Sequence, residues 1–314
     1  MSAMPAFLHV SILELLLVGT GLSLAAIAMP LPLYVLALSL FGLPHVLWEM
    51  NWVRHTYGRS IPRQGWWLLL GILLVQAGTR LAVWFGWVTA EVTLWVDVLT
   101  LVVLLWVAAG LVYHYGGVRA WLVALFAVLL GAALLVAVQT ENLVIVLTLL
   151  AIAHNFTPLF LVLGQQQFGT LPSRRVLPLL FSLPLWVMAI VWLMGVPDPV
   201  ATGLWMPGEA YWLQQFWAEG FNAALSGLIL AQCLHYYTVL RLLPTTLEQG
   251  MPWPWWLGAG SLSVLLAGYF WMDFTSARSL YSVAAGMHAW LEFPLICLLL
   301  SGAVVQQAKQ GAIS

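Results

Sequence analysis

Stretches of about twenty consecutive apolar residues recur along the whole chain, and each is long enough to cross a ~30 Å hydrocarbon core as an α-helix. In lipid every backbone polar group needs an internal partner, so only helices and closed barrels can span a bilayer. A barrel would alternate apolar and polar residues, and these runs do not. Hydrophobic residues make up 63% of the 314 and charged residues 7%. A soluble fold of this length needs polar faces, with roughly a quarter of its residues charged. The expected fold is therefore all-α, a polytopic transmembrane bundle of about ten helices. The spans fall near residues 7–29, 31–53, 65–87, 91–115, 117–138, 142–163, 176–195, 218–240, 253–273 and 280–303. No linker separates two compositions, so residues 1–314 read as one transmembrane domain.

The N-terminal "MSAMPAFLHV" has no basic region, which marks the first apolar run as a retained helix rather than a signal peptide. Cys233 and Cys297 lie inside apolar runs and serve as packing residues. Net charge is −1 and no basic block invites nucleic acid. Orientation follows from lysine and arginine. With the N-terminus cytoplasmic, Arg54, Arg59, Arg63, Arg119, Arg174, Arg175, Arg241 and Lys309 fall inside, and only Arg80 and Arg278 fall toward the outside. An even number of spans returns the C-terminus to the cytoplasm as well. The 196–217 connector is the one long outer loop on this topology.

Five of the seven histidines then fall on even-numbered spans, all running from outside to inside: His45, His114, His154, His235 and His288. At 1.5 Å per residue, His45, His154 and His235 sit roughly 8–14 Å above the cytoplasmic boundary, His114 near it, and His288 roughly 20 Å above it. Ionisable groups inside a membrane are costly and face the bundle interior with a partner. Histidines at overlapping depths on separate helices are economically explained by shared ligation of a metal, and neutral imidazole suits iron, copper or zinc. A lone membrane histidine is more often an interhelical hydrogen-bonder; five on co-directional helices weigh against that. The interfacial His9 and His55 carry no such argument.

Two carboxylates accompany them. "FGLPHVLWEM" sets His45 four residues before Glu49, and "GMHAWLEF" sets His288 four before Glu292, so each pair shares a helix face. Glu49 and Glu292 are expected to orient imidazoles or to complete the site. Pro44, Pro158 and Pro294 lie beside these residues, where helix kinks would open the backbone. Glu14 has no partner close in sequence. Arg80 and Asp97, each roughly 10 Å from the outer boundary, are expected to pair across a helical hairpin.

These segments resemble the Brp/Blh family of membrane β-carotene dioxygenases. "GLPHVLWE" is similar to the family's G-x-P-H-x-x-x-D signature, with Glu49 in place of the aspartate. "HYGG" at His114 and "AHNFTP" at His154 are similar to two further family segments, and His288 to the histidine of the last helix. His235 matches only loosely, and "HAWLE" lacks the proline that usually precedes the last histidine. The resemblance implies Fe(II), dioxygen and a lipophilic isoprenoid, with oxidative cleavage of β-carotene to retinal. Two other functions compete. A haem or quinone redox protein would use histidines as axial ligands. A transporter would continue its polar residues to the outer face, whereas the histidines stop near mid-membrane.

Overall fold

The computed structural model describes residues 11–58, 61, 63–115, 120–139, 149–150, 152–163, 173–194, 221–246 and 253–301. Among them the fold is all-α, with no strand. Its elements are α1 (Ile12–Ala28), α2 (Pro30–Tyr57), α3 (Arg63–Trp84), α4 (Ala90–Tyr115), α5 (Ala120–Gln139) and α6 (Thr157–Leu163). There follow α7 (Ser173–Met194), α8 (Phe221–Tyr237), a π-helical turn (Thr238–Leu242), a 3₁₀ turn (Leu243–Thr246), α9 (Trp253–Met272) and α10 (Phe274–Ser301). Every one lies within or beside an apolar run of the sequence. The long 196–217 connector, His9 and Lys309 fall outside the described residues.

Six described helical stretches are long and apolar enough to cross a bilayer: Pro30–Tyr57, Arg63–Trp84, Glu91–Gly110, Val176–Met194, Asn222–Leu242 and Phe274–Leu300. Their outer surfaces suit lipid rather than water. Leu193 is 83% exposed and Met272 86%, a display of apolar side chains that a soluble surface would not carry in such number. This is a membrane protein.

Local chemistry sets the helix ends. The Ser11 side chain accepts a hydrogen bond from the Glu14 backbone N–H and caps α1. Asp273 does the same for α10, accepting from the Ser276 N–H at 3.0 Å. At the end of α3, Gly86 takes φ +74°, the left-handed region a side chain avoids. There the Gly86 N–H reaches Val83 O and the Trp87 N–H reaches Ala82 O, which closes the helix on its last carbonyls. The helix thus stops at Trp84, three residues short of the expected 87, because a turn into α4 begins at the glycine.

The chain packs as two compact units, Met1–His45 with Gln165–Ala267, and Val46–Gly164 with Gly268–Ser314. The division falls within α2, directly after Pro44 and His45. In the first unit α7 and α8 pack together and α1 lies against both. Gly227 permits the α7–α8 approach, since a Cβ there would stand 2.9 Å from the Pro184 carbonyl oxygen. In the second unit α4 packs on α5, and α10 packs on α3, α4, α5 and α6.

Candidate metal centre

In the second unit the centre is built around a break in a helix. Residues 152–154 are helical, Asn155 and Phe156 form a turn, and α6 restarts at Thr157. The cause is Pro158, which has no N–H to offer the His154 carbonyl. The Thr157 hydroxyl stands in for it, 2.7 Å from His154 O. A kink is expected beside His154, and the structure carries a full interruption there. Pro44 and Pro294, by contrast, sit inside α2 and α10 without ending them.

His154 Nδ1 lies 2.6 Å from Glu292 Oε2 on α10, 138 residues away in sequence. The Thr157 hydroxyl, sharing its single proton with the His154 carbonyl, also hydrogen-bonds Glu292 Oε2. An oxygen that accepts from both places the imidazole proton on Nδ1, so Nε2 carries the lone pair. The His288 ring stands edge-on to that of His154, with centroids 4.7 Å apart. His154, His288 and Glu292 each offer a ligand atom, and these atoms lie within 4.8 Å of one another. All three residues are buried, at 8%, 2% and 1% exposure. The Glu49 carboxyl, itself 1% exposed, lies within hydrogen-bonding reach of Glu292.

That donor set fits a metal. Two imidazoles and two carboxyl groups are gathered among apolar helices, where an uncompensated carboxylate costs several kcal/mol. A divalent cation offsets that charge and takes nitrogen and oxygen donors together. The carboxylate–imidazole pair is the arrangement that orients a ligating histidine and raises its basicity. The Glu292 bond runs to the histidine of another helix rather than to His288 on its own. Side chains one turn apart project side by side, while facing helices point them at each other.

In the first unit His45 and His235 also meet, with ring centroids 5.1 Å apart and the planes perpendicular. His45 Nδ1 donates to Phe41 O at 3.1 Å, which leaves the lone pair on Nε2. Tyr236 stacks on His45 at 4.1 Å, and its hydroxyl accepts from Gln232 Nε2 at 2.7 Å. The π-helical turn begins two residues later. Such turns widen the helix by one residue and concentrate at functional sites. His114 lies on α4, and its side chain is outside the described residues. His55 is exposed and bonds its own helix at Asn51 O, as an interfacial histidine does.

Thr157 and Tyr236 were not singled out in the sequence. Thr157 had a signal, a hydroxyl between a histidine and a helix-breaking proline. Tyr236 had none beyond adjacency to His235. Glu14, partnerless in sequence, receives Arg241 at both oxygens (2.9 and 3.1 Å) and the Tyr237 hydroxyl at 2.9 Å. Arg80 and Asp97 pair as expected, at 2.5 Å. Comparison with protein-family models, with curated proteins and with solved structures finds no match.

Proposed function

We propose that this protein is a membrane-embedded, non-haem iron oxygenase that cleaves a carotenoid, β-carotene to retinal, or acts with dioxygen on a related isoprenoid. The observation that carries the proposal is the buried meeting of His154, His288, Glu292 and Glu49 at a helix break. The resemblance of "GLPHVLWE", "HYGG" and "AHNFTP" to the Brp/Blh family supplies the substrate class and the metal. Iron, when bound, would supply the activation of dioxygen; His154 and His288 would hold it, with Glu292 setting the ring of His154. Cleavage of one carbon–carbon double bond by one dioxygen yields two carbonyl groups, so no external reductant is consumed. A polyene dissolved in the bilayer reaches such a centre laterally. The apolar surroundings of the centre keep bulk water from it.

The bundle is proposed to be polytopic, of about ten helices, with both termini cytoplasmic by the lysine and arginine distribution. The sequence expectation also names His45, His114 and His235 as ligands, and single alanine variants assayed for iron content test that membership. Purified protein should hold about one iron per chain, and His154→Ala should lose most of it. In cells that accumulate β-carotene, expression should bleach the pigment and yield an aldehyde. Persistent colour with verified iron and expression would rule out β-carotene as substrate. A Soret band in the purified protein would replace non-haem iron with haem.

A further inference from the structure

The Arg80–Asp97 pair does more than close the α3–α4 hairpin. Its guanidinium lies directly against the backbone of α10 at Gly286, two residues before His288. A Cβ placed on Gly286 would stand 2.8 Å from Arg80 Nε and 3.0 Å from Cζ. A long side chain normally swings clear of such a contact at little cost. This one is held from behind, since Asp97 Oδ2 takes Nη2 at 2.5 Å. Asp97 is in turn held by Gln76 Nε2, which donates to Oδ1 at 2.8 Å. Gln76 and Asp97 are both buried, at 0% and 4% exposure. The guanidinium is thus a rigid seat, and glycine is the residue that lets α10 rest on it.

Successive residues of an α-helix turn by about 100°, so His288 projects roughly opposite Gly286 and Glu292 about 120° round from it, both away from the seat. Whatever sets the distance between Gly286 and the seat sets how far those two side chains reach toward His154. We propose that the Arg80–Gly286 contact is a positioning device for the metal centre, holding His288 and Glu292 in register with His154. Here it rests on the metal centre described above. Relieving a 2.8 Å contact to an ordinary 3.4 Å one moves α10 or the guanidinium by about 0.6 Å. Metal–ligand distances tolerate only about 0.2 Å.

Two readouts on full-length protein in detergent test this, one with metal and one without. Cobalt(II) titration of wild type, Gly286→Ala and His154→Ala reports affinity and the visible ligand-field bands. The downfield Nδ1–H resonance of ¹⁵N-labelled His154 in metal-free protein reports its bond to Glu292. Gly286→Ala should weaken cobalt binding by about tenfold or more, the size of effect expected of an outer-shell change. It should also alter the ligand-field bands and displace the His154 resonance. In an Arg80→Ala/Asp97→Asn background, which removes the seat and keeps the Gln76 bond, the same substitution should change each by less than about a third as much, because contacting residues are not additive.

Equal effects of Gly286→Ala in both backgrounds, or none in either, overturn the positioning role. If wild type takes up no cobalt while the resonance still moves only with the seat present, the metal centre fails and the positioning contact stands. If Gly286→Ala alone yields no monodisperse protein, recovery in the triple variant carries the same coupling, and failure of both refutes it.

Discussion

Replacing Glu292 by glutamine separates a carboxylate that orients His154 from one that binds the metal itself. In the structure Oε2 accepts from His154 Nδ1 at 2.6 Å and from the Thr157 hydroxyl. Glutamine keeps the shape and one carbonyl acceptor but loses the charge. A hydrogen bond to a charged group contributes ~1.5–3 kcal/mol and a neutral one ~0.5–1.5 kcal/mol. The difference is about 1 kcal/mol per bond, and two bonds end on that oxygen. If the loss falls on the state with His154 turned to its ligating position, metal affinity drops by about 2 kcal/mol, or about 30-fold. The assay is competition of iron(II) or cobalt(II) against a chelator of known affinity, on detergent-purified protein that remains monodisperse. Thr157→Val removes one of the two bonds outright; with its proton shared with the His154 carbonyl, the low end of the charged-bond range, ~1.5 kcal/mol, gives about tenfold. An affinity within about twofold of wild type in Glu292→Gln would refute the orienting role. Loss beyond about a thousandfold would make Glu292 a direct ligand, since a missing first ligand costs far more than a misdirected one.

Further outcomes follow from the rest of the structure. Thr157→Val should lower stability to denaturation in mixed micelles by about 1–3 kcal/mol, because the His154 carbonyl loses its substitute donor; adding Pro158→Ala restores an N–H at that place and should recover part of the loss. Arg241→Ala removes the fork to Glu14, a pair whose side chains are 31% and 25% exposed, so after discounting for screening the cost should be below about 1 kcal/mol and shrink in high salt. Asp273 lies between the end of α9 at Met272 and the start of α10 at Phe274, outside both helices, and its bonds from the Ser276 side chain and backbone hold its carboxyl below the usual range. A depressed folded value means the cap stabilises α10 above the unfolded pKa and is lost as pH falls through the lower, folded one. Asp273→Ala should therefore lower the thermal midpoint at neutral pH, and the gap should narrow as pH falls below the ordinary aspartate value of about 3.9 and close only below the depressed folded value. A gap that persists there would contradict the cap.

What the sequence by itself determined is the set of things that one helix settles alone. Twenty apolar residues in a row leave no other way to satisfy a backbone in lipid, and the six described stretches long enough to cross a bilayer all fall on predicted spans. Spacing along a helical hairpin is equally local: counting residues from the short turn brought Arg80 to Asp97. The turn at Gly86 and the helix break before Pro158 follow from single residues whose backbone chemistry admits little else. Lateral arrangement is different in kind. The helices are apolar nearly all round, so hydropathy does not say which face meets which neighbour; close packing of side-chain shapes decides it, through contacts such as Gly227 on Pro184 and Gly286 on Arg80. Hence Glu292 was legible as a carboxylate near a histidine, but only the tertiary structure chose His154, 138 residues away, over His288 one turn away. Glu14 found Arg241 across 227 residues for the same reason. A buried charge takes whichever partner the packing of helices brings within 3 Å.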